Sequence, residues 1–552
     1  MLSRSLQSLL GLSLSLSLVE AAQIPFIAPH ETSTSAVPFA GLENQSDNWD
    51  INVSPNENAT GHLIFETVSS FMQHWPNTRY RNGHNIVPGI VPVGTVLYHG
   101  RGDSNTPTGP EWLATDPEHS YIFCRGQAST GCWQLTVTAL RPLNVLYLDG
   151  SGAAKMPDGP MDSQDVLAFG EIIPEKYIAE RERIKNMCQW AKDFPVDGFV
   201  RMEMDFEIML CDFSDGVQVE PINLRSRGNS GGPDSEFYPP GPHPYDDTSF
   251  AQLDINSSAL PNTGFEVIHS GSWHRYYPGD TRIQLDLTRL ISFYDTELVP
   301  SLVAERLGKD RLKHRLLGIS QEDLQNAVKR IEEATTATEP GSGIDWKTLI
   351  QLVIKRFENR LEMVQYILNS TSPGNSNIQI QLVAMLRPYM LSTTKPTQDL
   401  ASTEWVSPMF KLCATTYTKY ITANPSLHSR LTASEELILG GVHETTREIC
   451  RVVTGMWVDG VMAGLDPDLY KPSTTEGLVE TEIESLLASW KERISSLMKW
   501  LDWSVWLKCR PACGFEELCE LPMWPFRRGT DEFEDPQPKC IRRMAPFDSS
   551  WV

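Results

Sequence analysis

Two periodicities divide the chain. Between about residues 76 and 222, short apolar runs alternate with turn signals. Val93–Tyr98, Trp133–Val137, Val145–Leu148, Phe199–Met202 and Phe206–Phe213 are rich in Val, Leu and aromatics and read as strands. Glu118–Phe123, Ser163–Phe169 and Lys176–Lys192 read as helices, the last opened by Pro174 and Glu175. From about residue 263 to 508 the spacing lengthens to the helical period. Asp345 is a good N-cap for Trp346–Leu368, where Leu349, Leu352, Val353, Phe357, Leu361, Val364 and Leu368 recur at steps of three and four. Ser320 or Gln321 opens a helix to about Ala334, and further helices fit Ile378–Leu391, Val406–Ala423, Ala433–Gly464 and Thr475–Lys508. No fixed-period repeat joins them.

The pattern predicts an α+β N-terminal domain over residues 76–223. A Pro/Gly-rich linker follows over 224–262, then an all-α helical bundle over 263–508 and a short Cys-rich tail over 509–552. Ahead of these, residues 1–22 read as a signal peptide. Arg4 precedes a Leu/Ser core from Leu9 to Val19, and Val19-Glu20-Ala21 offers small residues for cleavage. Residues 23–75 are polar with scattered Pro and Asn, and are expected as an extended arm.

Composition sharpens this picture. The 552 residues carry 70 acidic and 47 basic side chains, a formal net charge of −23. That balance speaks against a nucleic-acid partner and, with the leader removed, against membrane attachment. It suits solubility in weakly acidic extracellular media. Five Asn-x-Ser/Thr sequons, at Asn44, Asn52, Asn58, Asn256 and Asn369, are expected glycosylation sites of a secreted protein. The 10 cysteines fall into even groups. These are Cys124, Cys132, Cys188 and Cys211; Cys413 and Cys450; and Cys509, Cys513, Cys519 and Cys540. Disulfides within each group are expected. The tail cysteines have no Cys-x2-Cys spacing and no nearby His, so zinc is not expected there, and no metal site is expected elsewhere. His443-Glu-Thr-Thr-Arg447 lacks the second His of a zinc protease, and His269 and His274 flank Trp273 too loosely for a metal. Gly228-Asn-Ser-Gly-Gly232 lies in the linker and reads as low complexity rather than a serine-protease segment.

One stretch hints at chemistry. Tyr98-His99-Gly100 ends an apolar run, and Trp112-Leu-Ala-Thr-Asp-Pro-Glu-His119 breaks from strand to helix, with Tyr121 and Phe123 after it. Further on, Glu203, Asp205 and Glu207 alternate and would share one face of a strand. This order, over about residues 90 to 213, resembles the His–Tyr–Glu branch of the ADP-ribosyltransferase fold. The resemblance implies NAD as cofactor, with His99 on its ribose and Trp112, Tyr121 or Phe123 beside the nicotinamide. It implies Glu207 as the catalytic carboxylate and Asp205 at a position that some members use toward the acceptor. Trp112 stands where that branch has Tyr. Two functions stay open. One is a secreted ADP-ribosyltransferase-like enzyme or NAD glycohydrolase, with a protein or small molecule as acceptor. The other is a non-catalytic secreted binding, structural or effector protein. The texture also resembles uncharacterised secreted fungal proteins.

Overall fold

The computed structural model describes residues 49–123, 131–202, 204–224, 263–370, 374–396, 402–466, 468–469, 480–521 and 535–544. Ten of the described strands form one curled mixed sheet. In chain order they are β1 (Asn85–Val91), β2 (Val96–Arg101), β3 (Glu111–Ala114), β4 (Cys132–Ala139), β5 (Leu143–Leu148), β6 (Gly198–Met202), β7 (Phe206–Leu210), β8 (Val217–Leu224), β9 (Gln284–Leu285) and β10 (Ile291–Ser292). The spatial order is β10-β1-β5-β6-β7-β3-β2-β4-β8, with β9 also on β1. Pairing is antiparallel except between β5 and β6. A parallel pair needs a long crossover, and here it carries the helices Asp162–Phe169 and Glu180–Ala191.

The two faces of the sheet bury different partners. One face presents Val87, Leu97, Leu113, Leu135, Val200 and Ile208 to a core continuous with the helices of the C-terminal half. The other presents Ile86, Leu146, Leu148, Phe199 and Met209 to the crossover helices and to Gln321–Thr336, through Leu324, Ala327 and Ile331. Each such side chain contributes about 1.5–3 kcal/mol by leaving water.

The C-terminal half is mostly helical, as the periodicity predicts. Trp346–Leu368 begins at Asp345, whose carboxylate accepts from Thr348 N–H at 3.0 Å. Its buried stripe runs through Leu349, Val353, Phe357, Leu361, Val364 and Leu368, while Leu352 of the expected stripe is 57% exposed. Asn375–Leu386, Ser407–Thr415, Ala433–Met462 and Glu480–Leu501 complete the main helices. Ala433–Met462 starts with a full capping box between Thr432 and Glu435. Cys188–Cys211, Cys413–Cys450, Cys509–Cys519 and Cys513–Cys540 are disulfides, each within its expected group. Cys132 is also disulfide-bonded, and Cys124 lies outside the described residues. In the tail, the strands β11 (Glu517–Glu520) and β12 (Lys539–Arg542) pair antiparallel, with Cys519 opposite Cys540.

Three expectations of organisation are corrected. The polar arm does not extend to residue 75, because Gly61–Ser70 is a helix with nine buried residues, packed on Ala433–Met462. Leu63, Ile64, Phe65 and Val68 give it two apolar faces, so it is wrapped rather than exposed. The bundle does not begin at residue 263, since β9 and β10 join the sheet and Gln321–Thr336 covers its second face. The expected domains also share a core, and Trp49–Val552 is one contact unit. Residues 225–262 of the expected linker lie outside the described residues. Among the described residues, no helix is long and apolar enough to cross a membrane.

Candidate active site at the ends of β3 and β7

Register decides which of the expected site residues can meet. Tyr98, Ala114 and Glu207 stand opposite one another across β2, β3 and β7. Their side chains therefore share a face, and His99, next in the chain, points to the other one, with Leu97, Leu113 and Ile208. His99 Nδ1 donates to the Trp112 carbonyl at 2.7 Å, and burial lowers its pKa. Trp112 is half-buried on the Glu207 face, with the Arg201 guanidinium 5.8 Å from its ring centroid. Tyr121 ends the helix Pro117–Tyr121, and Phe123 is 54% exposed. His99 and Glu207 thus lie on opposite faces and do not flank one cleft. Asp205 does not share a strand with Glu207, because it sits in the turn between β6 and β7. Glu203 lies outside the described residues.

What the fold does bring together is a buried acid and histidine centre. The chain leaves β3 through Thr115 and Asp116, where Pro117 opens the short helix that carries His119. Thr115 N–H donates to the Phe206 carbonyl at 3.2 Å, tying that exit to the start of β7 beside Asp205. A third segment, Gly271–Asp280, brings His274 from far along the sequence. His274 Nε2 lies 3.0 Å from Asp205 Oδ1, which also accepts from Phe206 N–H at 2.8 Å. Arg282 grips Asp116 through both carboxylate oxygens, at 3.0 and 3.2 Å, and holds Asp280 at 2.7 Å. On the sheet face above, Glu207 accepts from Arg201 Nε at 3.0 Å and stands 3.7 Å from His119 Nε2. Arg201 also pairs with Glu180.

His119, His274 and Asp205 are fully buried, and Glu207 nearly so. The electrostatics are correspondingly strong. Burial, then the bond to Asp205, pushes Asp116 up to about 7. Burial also acts to raise Asp205, but His274 and then Asp116 hold it well below the ordinary carboxylate range. The His274 imidazole is lowered by burial yet raised overall by Asp205. Behind it, burial and the charge of His274 push His74 down to about 3. For Glu207, burial is outweighed by Arg201 and His119, and its pKa falls.

Several polar atoms in this centre have no hydrogen-bond partner: Asp205 Oδ2, both ring nitrogens of His119 and His274 Nδ1. The two carboxyls of Asp116 and Asp205 bond to each other when Asp116 carries a proton. Buried polar atoms are nearly always satisfied, and these unpartnered atoms are candidates to meet a substrate or ion. One donor atom each from Asp116, Asp205 and His274 lie within 4.8 Å of one another. Asp205 and Glu207 are legible in the sequence as alternating acids, whereas His274, Asp116 and His119 carry no motif that marks them. The only local signal was the Asp116-Pro117 step that orients Asp116 and His119. The sequons Asn52, Asn58 and Asn369 are exposed, and Asn44 and Asn256 lie outside the described residues.

The family described as the YPL277C N-terminal domain matches residues 44–134 and 132–228, a stretch that includes Asp116, His119, Asp205 and Glu207 but ends before His274. Among whole proteins, the chain is similar to two from Saccharomyces cerevisiae. One is the uncharacterized protein YOR389W, 24% identical over 548 aligned residues that cover 84% of this chain and 81% of the relative. The other is the uncharacterized protein YPL277C, 26% identical over 412 residues that cover 61% of this chain and 81% of the relative. No solved structure matches. These likenesses fit an uncharacterised fungal protein, and none of them is to an ADP-ribosyltransferase. The disulfides are compatible with secretion.

Proposed function

We propose that the chain is a secreted, N-glycosylated enzyme that acts by proton transfer at the Asp116–Asp205–His274 centre, with His119 and Glu207 beside it. Hydrolysis is the reaction class that suits it: carboxyls and imidazoles move protons to and from water, and the extracellular medium supplies that water. One observation carries the reading. Donor atoms of Asp116, Asp205 and His274 lie within 4.8 Å of one another, and buried atoms of Asp205, His119 and His274 have no hydrogen-bond partner, which suits a site that meets a substrate. Trp273, 51% exposed with Arg282 stacked 5.1 Å from its ring centroid, offers a landing surface next to Asp116. The leader-like start, the exposed sequons and the disulfides support the extracellular setting.

An NAD-cleaving enzyme needs His99 and Glu207 across one cleft, and their opposite faces weigh against it. Non-catalytic binding remains the competing class. The test is a panel of secreted-enzyme substrates (esters, glycosides, peptides and NAD) on the secreted protein beside Asp205→Asn. Turnover that disappears in the variant, while its circular dichroism and disulfides are unchanged, is the expected result. Turnover that survives Asp205→Asn refutes the centre. No turnover of any substrate leaves the binding class standing, and NAD cleavage that depends on Glu207 restores the transferase reading.

A further inference from the structure

We infer that Asp116, Asp205 and His274 bind one divalent cation. The inference rests on the proposed centre and gives it a cofactor. The three residues come from separate parts of the chain: the exit of β3, the β6–β7 turn and the Gly271–His274 segment. Their donor atoms nevertheless lie within 4.8 Å of one another. Ligand atoms held about 2.1 Å from one ion stand roughly 3 to 4 Å apart, so a small adjustment closes the set. Two of the three ligands are fully buried, and Asp205 Oδ2 has no hydrogen-bond partner.

Arg282 pairs with Asp116 and Asp280, while Asp205 pairs with His274. Supporting contacts are in place: Arg282 fixes both oxygens of Asp116, Phe206 N–H fixes Asp205 Oδ1, and His74 packs edge-on to His274 with ring centroids 6.1 Å apart. Outer contacts of this kind orient ligands and sharpen affinity. One imidazole and two carboxylates, with no thiolate, suit zinc or manganese. His119 acts electrostatically on Asp205 and stands 3.7 Å from Glu207.

The test is isothermal titration calorimetry of the secreted full chain, stripped with EDTA, with Zn²⁺ and with Mn²⁺. One cation per chain is expected, with affinity reduced about 100-fold or more in Asp205→Asn and His274→Ala. If those variants fail to fold, Mn²⁺ electron spin resonance on the wild type decides, because a histidine ligand shows nitrogen hyperfine coupling. No binding by the folded wild type, binding unchanged in Asp205→Asn, or bound manganese without nitrogen coupling overturns the proposal. The two claims separate cleanly. Turnover that needs Asp205 but persists after EDTA treatment, with no cation bound, removes the metal and leaves the acid–base centre.

Discussion

Glu66 offers the sharpest test of how this fold treats buried charge. It sits mid-helix in Gly61–Ser70, 1% exposed. Its Oε1 accepts from Ser504 N–H at 2.9 Å and its Oε2 from Ser69 Oγ at 3.2 Å. Burial pushes the carboxyl up to about 7, against the opposing pull of Arg311 and of the Ser504 bonds. The folded protein therefore holds a proton that the unfolded chain releases at an ordinary glutamate value. Stability from this group is complete below that ordinary value and is lost as pH rises toward 7. A tenfold difference in proton affinity is worth about 1.4 kcal/mol, so the whole interval comes to about 3 kcal/mol. Glu66→Gln keeps the shape and a carbonyl for Ser504, and never ionises. Urea unfolding at pH 5 and pH 7.5 should show the two proteins nearly equal in acid. At pH 7.5 the variant should be more stable by up to about 3 kcal/mol. Asp149, pushed up to about 6, and Glu520, pushed up to about 7, are raised by burial too and tilt both proteins the same way. The difference between the two proteins isolates Glu66. Parallel pH profiles, or a variant that is weaker at pH 7.5, refute the reasoning.

Three further outcomes follow from the helical half and the surface. Replacing Cys413 and Cys450 by Ala opens a link with a sequence separation of 37. Chain entropy values that link at about 4 kcal/mol, and calorimetry should show a lower Tm. Thr432→Ala removes the side-chain half of the capping box at Ala433–Met462 and should cost about 1 kcal/mol in urea unfolding. Peptide mapping of the chain from its native host should find glycans on the exposed Asn52, Asn58 and Asn369, and cytosolic chains without glycan would contradict the proposed extracellular setting.

The legible parts of this fold are those whose local pattern agrees with their tertiary role. Trp346–Leu368 was bounded to the residue because Asp345 caps it and one stripe faces the core. β1 was not foreseen, since Pro88 and Gly89 break the pattern of Asn85–Val91. Pro88 is tolerated there because its carbonyl, not its missing N–H, meets Asp286. β8 was missed as a largely exposed strand interrupted by Pro221. Gly61–Ser70 was absorbed into a polar arm because sequons precede it, although Leu63, Ile64, Phe65 and Val68 already called for burial. The expected His99–Glu207 pairing failed on register alone, which motif order cannot reveal: one residue of offset in β2 sends the side chain through the sheet. Asp205 and Glu207 were visible as acids in a row. Their working neighbours were not, because His274 reaches Asp205 only through the fold.

The central claim is that Asp116, Asp205 and His274 hold one divalent cation where β3, the β6–β7 turn and the Gly271–His274 segment meet. Anomalous diffraction from crystals of the full chain grown with Zn²⁺ tests it most directly. The account predicts one strong peak about 2.0 to 2.2 Å from a carboxylate oxygen of Asp116, one of Asp205 and a ring nitrogen of His274. Well-diffracting crystals with no peak there, the two carboxyls bonded only to each other and to Arg282, would contradict it.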